Sequence, residues 1–433
     1  MIVRFSIANF RSIKDTIEVS MQATGQRGLK NNKFKTQQGL QLLKTGVFYG
    51  PNASGKSNIL RALKALRYLV SSSTGFKPDD QIGPYEPHLL DKQTDKKPVF
   101  FEIDFIHHNI QFNYQLAFND KSVEQETLVA WPNNVKALLF ERVQGKPVKY
   151  GENYKGARKN IEKMLLPNQL FISKAAENNV GSVKIPYHYL RSKIKMFALN
   201  EQQPGPGQFM MGYAKRLAED KNSSFSRRFN KLICALDTGI TEVHAKEVDW
   251  KQVELPENIP DTIKQSIKKQ YSHDVKTIHP VFSGKEEVDK RIFDLDDESL
   301  GTKGLFVLGG IILDALENGD TLVIDEFETN LHPLVTRYLI NLFHSPIVNR
   351  HNAQLIFATH DATQLSPDTF RRDQVWFTEK DEFGSTQLFR CSDIKHLRLS
   401  TPLDKWYLSG KLSGVPIIND ADFLIEMQND EEF

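Results

Sequence analysis

The sequence has 433 residues, of which 39% are hydrophobic and 25% are charged, so it is long enough for two or three domains with large buried cores. Its 56 basic and 54 acidic residues leave a net charge of +2, which excludes nucleic-acid binding through a uniformly basic surface and leaves only a local patch. Two cysteines and the lack of any apolar run of about 18 residues exclude a disulfide scaffold and a membrane span. We expect a cytoplasmic protein without a membrane partner.

The first 145 residues combine alternating strands with one helix. The opening stretch MIVRFSIANF alternates apolar and polar residues and predicts a strand, and KDTIEVSM predicts its hairpin partner. LQLLKTGVFYG predicts a buried strand that ends in glycine, and SNILRALKALRYLV follows with helical spacing. Two further strands are predicted for PVFFEIDFI and IQFNYQLAFN. We assign residues 1–145 to the first half of an α/β domain.

The composition changes between residues 146 and 285, where long charged stretches predict helices. These stretches are NYKGARKNIEKML, YLRSKIKMFAL, FSRRFNKLICAL and DTIKQSIKKQYS. We therefore predict an inserted, mainly helical arm over residues 146–285. Four basic runs in this arm could follow a nucleic acid or dock an acidic partner, although the acids and amides between them favour solvated helix faces: Lys155 to Lys163, Arg191 to Lys195, Arg227 to Lys231 and Lys264 to Lys269.

Strong α/β patterning returns in residues 286–433. The helical stretches GLFVLGGIILDAL and LVTRYLINLF are interleaved with the apolar strands TLVIDEF and AQLIFATH. A hairpin QVWFTEK…STQLFRC follows them. The acidic tail ADFLIEMQNDEEF is expected to be ordered only on a partner.

A phosphate-binding loop is predicted between the buried strand and the first helix. GPNASGKS, Gly50 to Ser57, matches the pattern G-x-x-x-x-G-K-[ST] between a strand and a helix, as the motif requires. Its backbone amides and the helix N-terminus can hold phosphate oxygens, Lys56 can reach the β- and γ-phosphates of a nucleotide, and Ser57 can ligate Mg²⁺. A purely structural glycine turn is the alternative. The candidate nucleotide-binding residues are Gly50, Asn52, Ala53, Ser54, Gly55, Lys56, Ser57 and Asn58.

Polar residues end two apolar strands that should lie at the same sheet edge. TLVIDE places Asp325 where it can hold Mg²⁺ and Glu326 where it can polarise a water molecule as a general base. AQLIFATHD places His360 where it can contact the γ-phosphate. Ligands bind beyond the carboxyl ends of parallel strands, so these residues should converge with the phosphate loop. Simple polar caps at the strand ends are the alternative.

The segment ESLGTKG, Glu298 to Gly304, lies where a helix is predicted to begin. A serine hydroxyl and backbone amides at a helix N-terminus suit a phosphate, and a plain helix cap is the alternative. The preceding run DLDD, Asp294 to Asp297, could hold a catalytic metal in a nuclease. Its place directly before a helix favours a solvated charge cluster instead.

Together these motifs resemble the ABC-type ATPase heads of the SMC and RecF-type class. The resemblance rests on IANFRSI, the phosphate loop, ESLGTKG, VIDE followed by FETNLHP, and ATHD. It implies an α/β fold: an ABC-ATPase head with a RecA-like parallel core sheet, an N-terminal antiparallel β subdomain and an inserted helical arm. It also implies that Arg11 and Ser12 lie against the nucleotide. In that class, Glu328 to His332 would form the D-loop near a partner subunit.

ESLGTKG takes the place of the family signature LSGGQ but departs from it. Ser299 and Gly301 match the signature serine and second glycine, while Leu300 and Thr302 replace the first glycine and the glutamine. In the resembling family the signature closes the neighbouring subunit's site. The resemblance therefore implies at least a dimer, with Ser299, Gly301 and Thr302 binding nucleotide in trans. Gln111 and Gln115 are candidates for the Q-loop glutamine.

Within this class, the chain is most similar to the RloA and AriA type of anti-phage defence ATPases, and it is also similar to the ATPase half of OLD-family nucleases. This similarity rests on the Walker B form IDEFE…LHP, the ES-x-GTK signature and the stretch FTEKDEFGSTQL…YLSGKLSGVP. This similarity implies an Mg²⁺-dependent, ATP-gated switch that answers a phage trigger and controls a separate toxic effector. Residues 361–433 are too few for a TOPRIM nuclease domain, so a nuclease would be a separate subunit. The alternatives are a repair ATPase that clamps DNA and an ATP-bound scaffold with incidental hydrolysis.

Overall fold

The computed structural model describes residues 1–198, 206–236, 238–251, 256, 258–395, 397, 401–412 and 414–415, so the tail ADFLIEMQNDEEF lies outside the described residues. The strands are β1 Ile2–Ala8, β2 Ile17–Ser20, β3 Lys33–Lys35, β4 Gln41–Leu43, β5 Thr45–Tyr49, β6 Val99–His107, β7 Ile110–Phe118, β8 Val123–Trp131, β9 Ala137–Val143, β10 Lys149–Tyr150, β11 Ile194–Ala198, β12 Glu242–Glu247, β13 His273–Ser283, β14 Glu286–Asp294, β15 Thr321–Asp325, β16 Gln354–Ala358, β17 Val375–Lys380 and β18 Thr386–Arg390. The helices are α1 Lys56–Ser72, α2 Lys159–Met164, α3 Phe171–Glu177, α4 Gly181–His188, α5 Pro206–Glu219, α6 Ser224–Ala235, α7 Asp261–Gln270, α8 Leu300–Asn318, α9 Pro333–His344 and α10 Leu403–Leu408. Within the described part of the chain, no helix has the length and apolar character that crossing a bilayer would need.

The predicted parallel core sheet is confirmed, in the strand order β11-β15-β16-β5-β17-β18. All neighbouring pairs are parallel except the predicted hairpin β17–β18. Strands β5, β15 and β16 are almost wholly apolar because both faces of the sheet are covered. Val323 and Ile356 pack in one core with α1, whereas Leu322 and Leu355 pack in a second core with α8 and α9. Because β5, β15 and β16 are parallel, their carboxyl ends lie at one edge of the sheet.

The predicted N-terminal antiparallel β subdomain is also confirmed. It is a seven-stranded sheet in the order β10-β9-β8-β7-β6-β1-β2, and the expected hairpin pairs β1 with β2. Gln354 of the core sheet joins the two sheets: its side chain accepts a hydrogen bond from Ile2 N at 2.6 Å and donates to Ile2 O at 3.0 Å. The two halves of the head are therefore linked through a buried amide.

The middle of the chain differs in part from the predicted helical arm. Helices α2 to α7 fall in this stretch, but YLRSKIKMFAL is not a helix: it forms a π-helical turn, Tyr189–Lys193, followed by strand β11. Strand β11 pairs in parallel with β15 and buries Ile194 and Phe197, while Lys193 forms an ion pair with Asp320 at 2.8 Å. Tertiary burial therefore overrides the helical propensity of this charged segment. The boundaries at residues 146 and 285 stay a prediction.

Helices α5 and α6 lie against α8, and the three-stranded sheet β12-β13-β14 contacts these two helices through β12 and β13. Phe229 of α6 packs edge-on against Phe306 of α8, with ring centroids 4.9 Å apart. The chain then passes through a short 3₁₀ turn, Leu295–Asp297, into α8. The segment ESLGTKG therefore stands at the junction between this small sheet and the core.

Candidate functional site

The loop from Gly50 to Ser57 connects β5 to α1, and two of its positions require glycine. Gly55 has φ 111°, and a Cβ placed there would lie 2.2 Å from Thr386 Oγ1. A Cβ on Gly50 would lie 2.3 Å from Thr378 Oγ1. Because only glycine fits this conformation and this close approach, the loop can turn its amides toward a bound anion.

The Lys56 side chain is folded back onto the loop. It is only 5% exposed, and its ammonium donates hydrogen bonds to Gly50 O at 2.8 Å and Pro51 O at 3.1 Å. Burial lowers the pKa of Lys56 to about 8, against an opposing contribution from Asp325. A bound phosphate would give this buried cation a negatively charged acceptor in place of two neutral carbonyl groups, so Lys56 is suited to an anionic ligand.

A chain of hydroxyl groups supports the loop from the β17–β18 hairpin. Thr386 Oγ1 donates to Ser54 O at 2.9 Å, so it accepts from Ser12 Oγ at 2.7 Å, and Ser12 Oγ in turn accepts from Asn58 Nδ2 at 2.7 Å. Thr378 Oγ1 donates to a strand carbonyl and lies 2.6 Å from Ser54 Oγ. Sequence reasoning missed both threonines, since only the fold shows that the hairpin lies against the loop.

The described C-terminal residues also contact the loop, which the sequence did not predict. The Tyr407 hydroxyl donates to Gly414 O at 3.0 Å, and its ring stacks on Phe377 with centroids 5.6 Å apart. A Cβ on Gly414 would lie 3.6 Å from Gly50 Cα. Tyr407 and Gly414 therefore lie against the start of the phosphate loop.

The Walker B residues lie next to the loop. Ser57 Oγ donates to Asp325 Oδ1 at 3.1 Å, and burial raises the pKa of Asp325, partly offset by this hydrogen bond. A hydroxyl and a carboxylate held this close are oxygen donors of the kind that Mg²⁺ takes. Glu326 follows at the end of β15 with φ 52° and an exposed side chain. A left-handed glutamate stores strain, and such strain gathers at functional sites.

His360 follows strand β16 at the same edge. Its backbone N–H donates to Glu328 Oε1 at 2.5 Å, and Glu328 Oε2 is buried without a hydrogen-bond partner among the described residues. Burial and the nearby charge of Lys56 lower the pKa of His360. The imidazole is therefore neutral at neutral pH and can both donate and accept a hydrogen bond. The phosphate loop, the carboxylates and the histidine do converge, as the sheet topology predicted.

The remaining predicted residues of the N-terminal half lie in different surroundings. Ser12 contacts α1 through Asn58, but Arg11 forms a forked ion pair with Glu86, at 2.5 and 2.7 Å. Gln111 and Gln115 both lie on β7, where Gln115 donates to a glutamate of β6. Roles for these residues at the nucleotide stay predictions.

The signature segment begins α8 and lies against the loop after Walker B. Ser299 is the helix cap, and its Oγ accepts a hydrogen bond from Thr302 N at 3.1 Å. A Cβ on Gly301 would lie 2.8 Å from Asn330 O, so the glycine allows signature and D-loop to touch. The signature segment and the D-loop line one cavity of about 460 Å³, and no residue of the phosphate loop lines it. The Leu300 side chain, next to Ser299, is 73% exposed.

Glu298 and the acidic run DLDD lie at the start of the signature segment. Glu298 Oε1 accepts hydrogen bonds from Thr277 Oγ1 at 2.6 Å and His279 Nε2 at 2.8 Å, which ties the signature to strand β13. The described residues contain no cluster of three or more carboxylate, histidine or cysteine ligands that could hold a metal. The DLDD run therefore gains no structural support as a nuclease centre.

A family model matches most of the chain. Residues 1–362 match the AAA_15 family, described as an AAA ATPase domain, and no curated protein matches the chain. The chain is similar to three solved SMC structures. These are the SMC head domain from Thermotoga maritima (12% identity, 90% of this chain and 98% of that chain covered, TM-score 0.38), an SmcHead bound to the C-winged helix domain of ScpA (13%, 90% and 96%, 0.42) and an Smc head with an extended coiled coil bound to the C-terminal domain of ScpA from Pyrococcus furiosus (10%, 90% and 95%, 0.41).

The family match spans most of the chain and contains every motif assembled at the sheet edge. It runs from the first residue through the phosphate loop, the carboxylate pair and His360. The buried Lys56 and the Ser57–Asp325 pair are also suited to ATP binding by an ATPase. This chain therefore belongs to the AAA ATPase domain family.

Proposed function

We propose that this ATPase works as an ATP-gated oligomeric switch. One observation supports the proposal above the others: Lys56, Asp325 and His360 face one site, whereas Ser299 lines a separate cavity with the D-loop. The site would have residues that bind phosphate, hold Mg²⁺ and act as the general base, but the signature segment of the same chain does not line it. A second copy that presents Ser299 would complete it, so ATP would join copies and hydrolysis would release them.

Each residue of the site would have a distinct role. The amides of the phosphate loop and Lys56 would bind the phosphates, since burial makes this cation dependent on an anionic partner. Ser57 and Asp325 would hold Mg²⁺, which neutralises phosphate charge when bound. Glu326 would orient and polarise the attacking water molecule, and neutral His360 would hydrogen-bond the γ-phosphate.

The biological role that we propose rests on the motif resemblance. The chain would be a sensor or regulator subunit of a prokaryotic anti-phage defence system, working in the cytoplasm. ATP-bound copies would hold a separate toxic effector, such as a TOPRIM nuclease, until a phage trigger releases it. Co-purification with an effector from the native host, lost in Lys56→Ala, would support this role, and retention of the effector by Lys56→Ala would count against ATP gating.

A mixing experiment tests the signature in trans. Lys56→Ala removes the phosphate ligand and Ser299→Arg blocks the signature, so each variant alone should be inactive. Mixed subunits would contain one intact composite site per hybrid dimer, so ATPase activity should return to about a quarter of wild type with random pairing. Continued inactivity of the mixture, with both variants folded, would refute action in trans.

A second variant tests the general base. Glu326→Gln should keep ATP binding, lower hydrolysis by at least about 100-fold and trap the ATP-bound assembly. Glu152→Gln, at an exposed position, is the matched control and should hydrolyse ATP at the wild-type rate. Equal rates for Glu326→Gln and wild type would remove Glu326 from the mechanism.

A DNA-clamping ATPase is the alternative that one further observation favours. Arg227, Arg228, Lys231 and Arg350 line a groove of about 670 Å³ on the surface of α6, α8 and α9. Basic side chains in a groove can bind phosphates, although Arg228 is already paired with Glu317 at 2.7 Å. Duplex DNA that raises the ATPase rate in a salt-dependent manner, with loss in Lys231→Ala, would favour the clamp over the switch.

A further inference from the structure

Strand β14 is an open sheet edge. It is the outermost strand in the order β12-β13-β14, and all nine of its residues are exposed. It pairs with β13 on its inner side, and no other strand in the described ranges pairs with its outer side. An open edge of this length offers unpaired N–H and C=O groups to another strand.

The backbone at Lys290 faces this open edge. Lys290 stands opposite Pro280 of β13, and proline has no N–H to donate, so the two residues do not form a hydrogen-bonded pair. The N–H and C=O groups of Lys290 must then point away from β13. In agreement with this, Lys290 N–H donates to the side chain of Asp289 at 2.8 Å rather than to β13.

The sequence around Lys290 is complementary to itself when read in the opposite direction. It runs Val288-Asp289-Lys290-Arg291-Ile292. We propose that β14 pairs in antiparallel fashion with β14 of a second copy, across a two-fold axis at Lys290. This register sets Asp289 against Arg291 of the second copy, twice, and the register shift at Val288 limits the regular pairing to the segment that follows it. An interface with two-fold symmetry needs such self-complementarity.

The apolar surface of the hairpin fits the same partner. Val288 is 56% exposed, Ile292 is 64% exposed, and Phe282 on the neighbouring strand is 58% exposed. Residues two apart in a regular strand lie on one face, so Ile292 shares a face with Lys290, whereas the ladder with β13 shifts at Val288, which is a bulged residue. Pairing would bring Ile292 of each copy against the β14 strand of the other and reduce its exposure.

One feature of the register opposes it. The two Lys290 side chains face each other at the axis, and like charges directly opposite weaken a strand pair. The proposed pairing is therefore a weak, reversible association of nucleotide-free chains. It goes beyond the proposed switch, because it needs neither ATP nor the signature. Glu298 ties β13 to the signature segment, so the pairing would also fix the position of ESLGTKG.

Charge exchange tests the register. Sedimentation of the full chain without nucleotide should show a concentration-dependent dimer, weakened at least about tenfold by Asp289→Arg or by Arg291→Asp and restored when both changes are combined. Lys290→Thr should tighten it, since the like charge at the axis is removed. Lys285→Glu, in the hairpin turn outside β14, is the charge-matched control and should leave it unchanged. A wild-type chain that stays monomeric, or a dimer that ignores both single exchanges, overturns the proposal.

Cross-linking locates the axis. In a Cys234→Ser background, Lys290→Cys should form a disulfide-linked dimer under mild oxidation, because residues on the axis lie within disulfide distance of each other. Glu286→Cys, at the far end of the strand, should not cross-link. Equal cross-linking at both positions, or cross-linking only in the presence of ATP, overturns the proposal. The mixing experiment on Lys56 and Ser299 reports separately on the ATP-dependent assembly.

Discussion

Ser57 and Asp325 are separated by 268 positions in the chain, yet the Ser57 hydroxyl lies 3.1 Å from Asp325 Oδ1. The loop after β5 and the end of β15 meet because both strands belong to one parallel sheet, with β16 between them. A hydroxyl and a carboxylate brought together beside a phosphate loop are suited to share one metal ion. This pair is therefore where metal dependence should be sought.

Asp325→Asn should separate metal binding from nucleotide binding. We expect the affinity for ATP in the presence of Mg²⁺ to fall at least about tenfold, since a charged ligand is lost. The affinity in EDTA should match that of the wild type, because Lys56 and the loop amides remain. Titration with a fluorescent ATP analogue measures both, and Asp368→Asn, at an exposed site, is the control. An equal loss with and without Mg²⁺ would mean that Asp325 supports the loop only.

Nucleotide affinity should depend on the protonation of Lys56. Burial lowers its pKa to about 8, so the free protein holds a cation below this pH and a neutral amine above it. A triphosphate favours the cation, so ATP affinity should fall as pH rises through 8, with a limit of about tenfold per pH unit. Lys56→Met is the control: the pH dependence of its ATP affinity reports only the protonation of the nucleotide and of the other groups. Identical pH profiles for both proteins would contradict the assignment.

Much of the site could be predicted because its parts are contiguous. The phosphate loop, VIDE and ATHD each combine an apolar strand with a short polar end, so periodicity places them at one sheet edge. Strands β1, β2, β6 and β7 and the β17–β18 hairpin also followed from local sequence pattern, whereas β8, β9 and β10 of the N-terminal sheet were not predicted. These features depend on local pattern and on the general geometry of parallel sheets.

The rest depends on tertiary contacts that leave little local signal. Thr378 and Thr386 are ordinary strand threonines until the fold sets their hydroxyl groups 2.6 and 2.9 Å from atoms of Ser54. Likewise, the charged residues of YLRSKIKMFAL favour a helix, but burial of Phe197 beside β15 makes the segment Ile194–Ala198 a strand. Contacts between distant segments decided both outcomes.

Thr386→Val should loosen the phosphate loop without changing its residues. The hydroxyl donates to Ser54 O and accepts from Ser12, so its removal should cost about 1–2 kcal/mol of stability. ATP affinity should fall with it, because the loop is less well held for its ligand. Calorimetric melting and ATP titration measure the two effects. Thr262→Val, on exposed helix α7, is the control, and an unchanged ATP affinity in Thr386→Val would contradict support by this hydroxyl.

Gly301→Ala should uncouple the signature from the D-loop. The added methyl group would lie 2.8 Å from Asn330 O, so one of the two backbones must move. ATP hydrolysis should fall at least about tenfold, since the signature would no longer present Ser299 correctly. Nucleotide binding by the isolated chain should stay at the wild-type level, because the cavity around Gly301 contains no residue of the phosphate loop. Gly75→Ala, where an added Cβ meets no atom within 4 Å, is the control. Weakened ATP binding by monomeric Gly301→Ala would show that the signature acts on its own chain's site, and normal hydrolysis would show that its contact with Asn330 is dispensable.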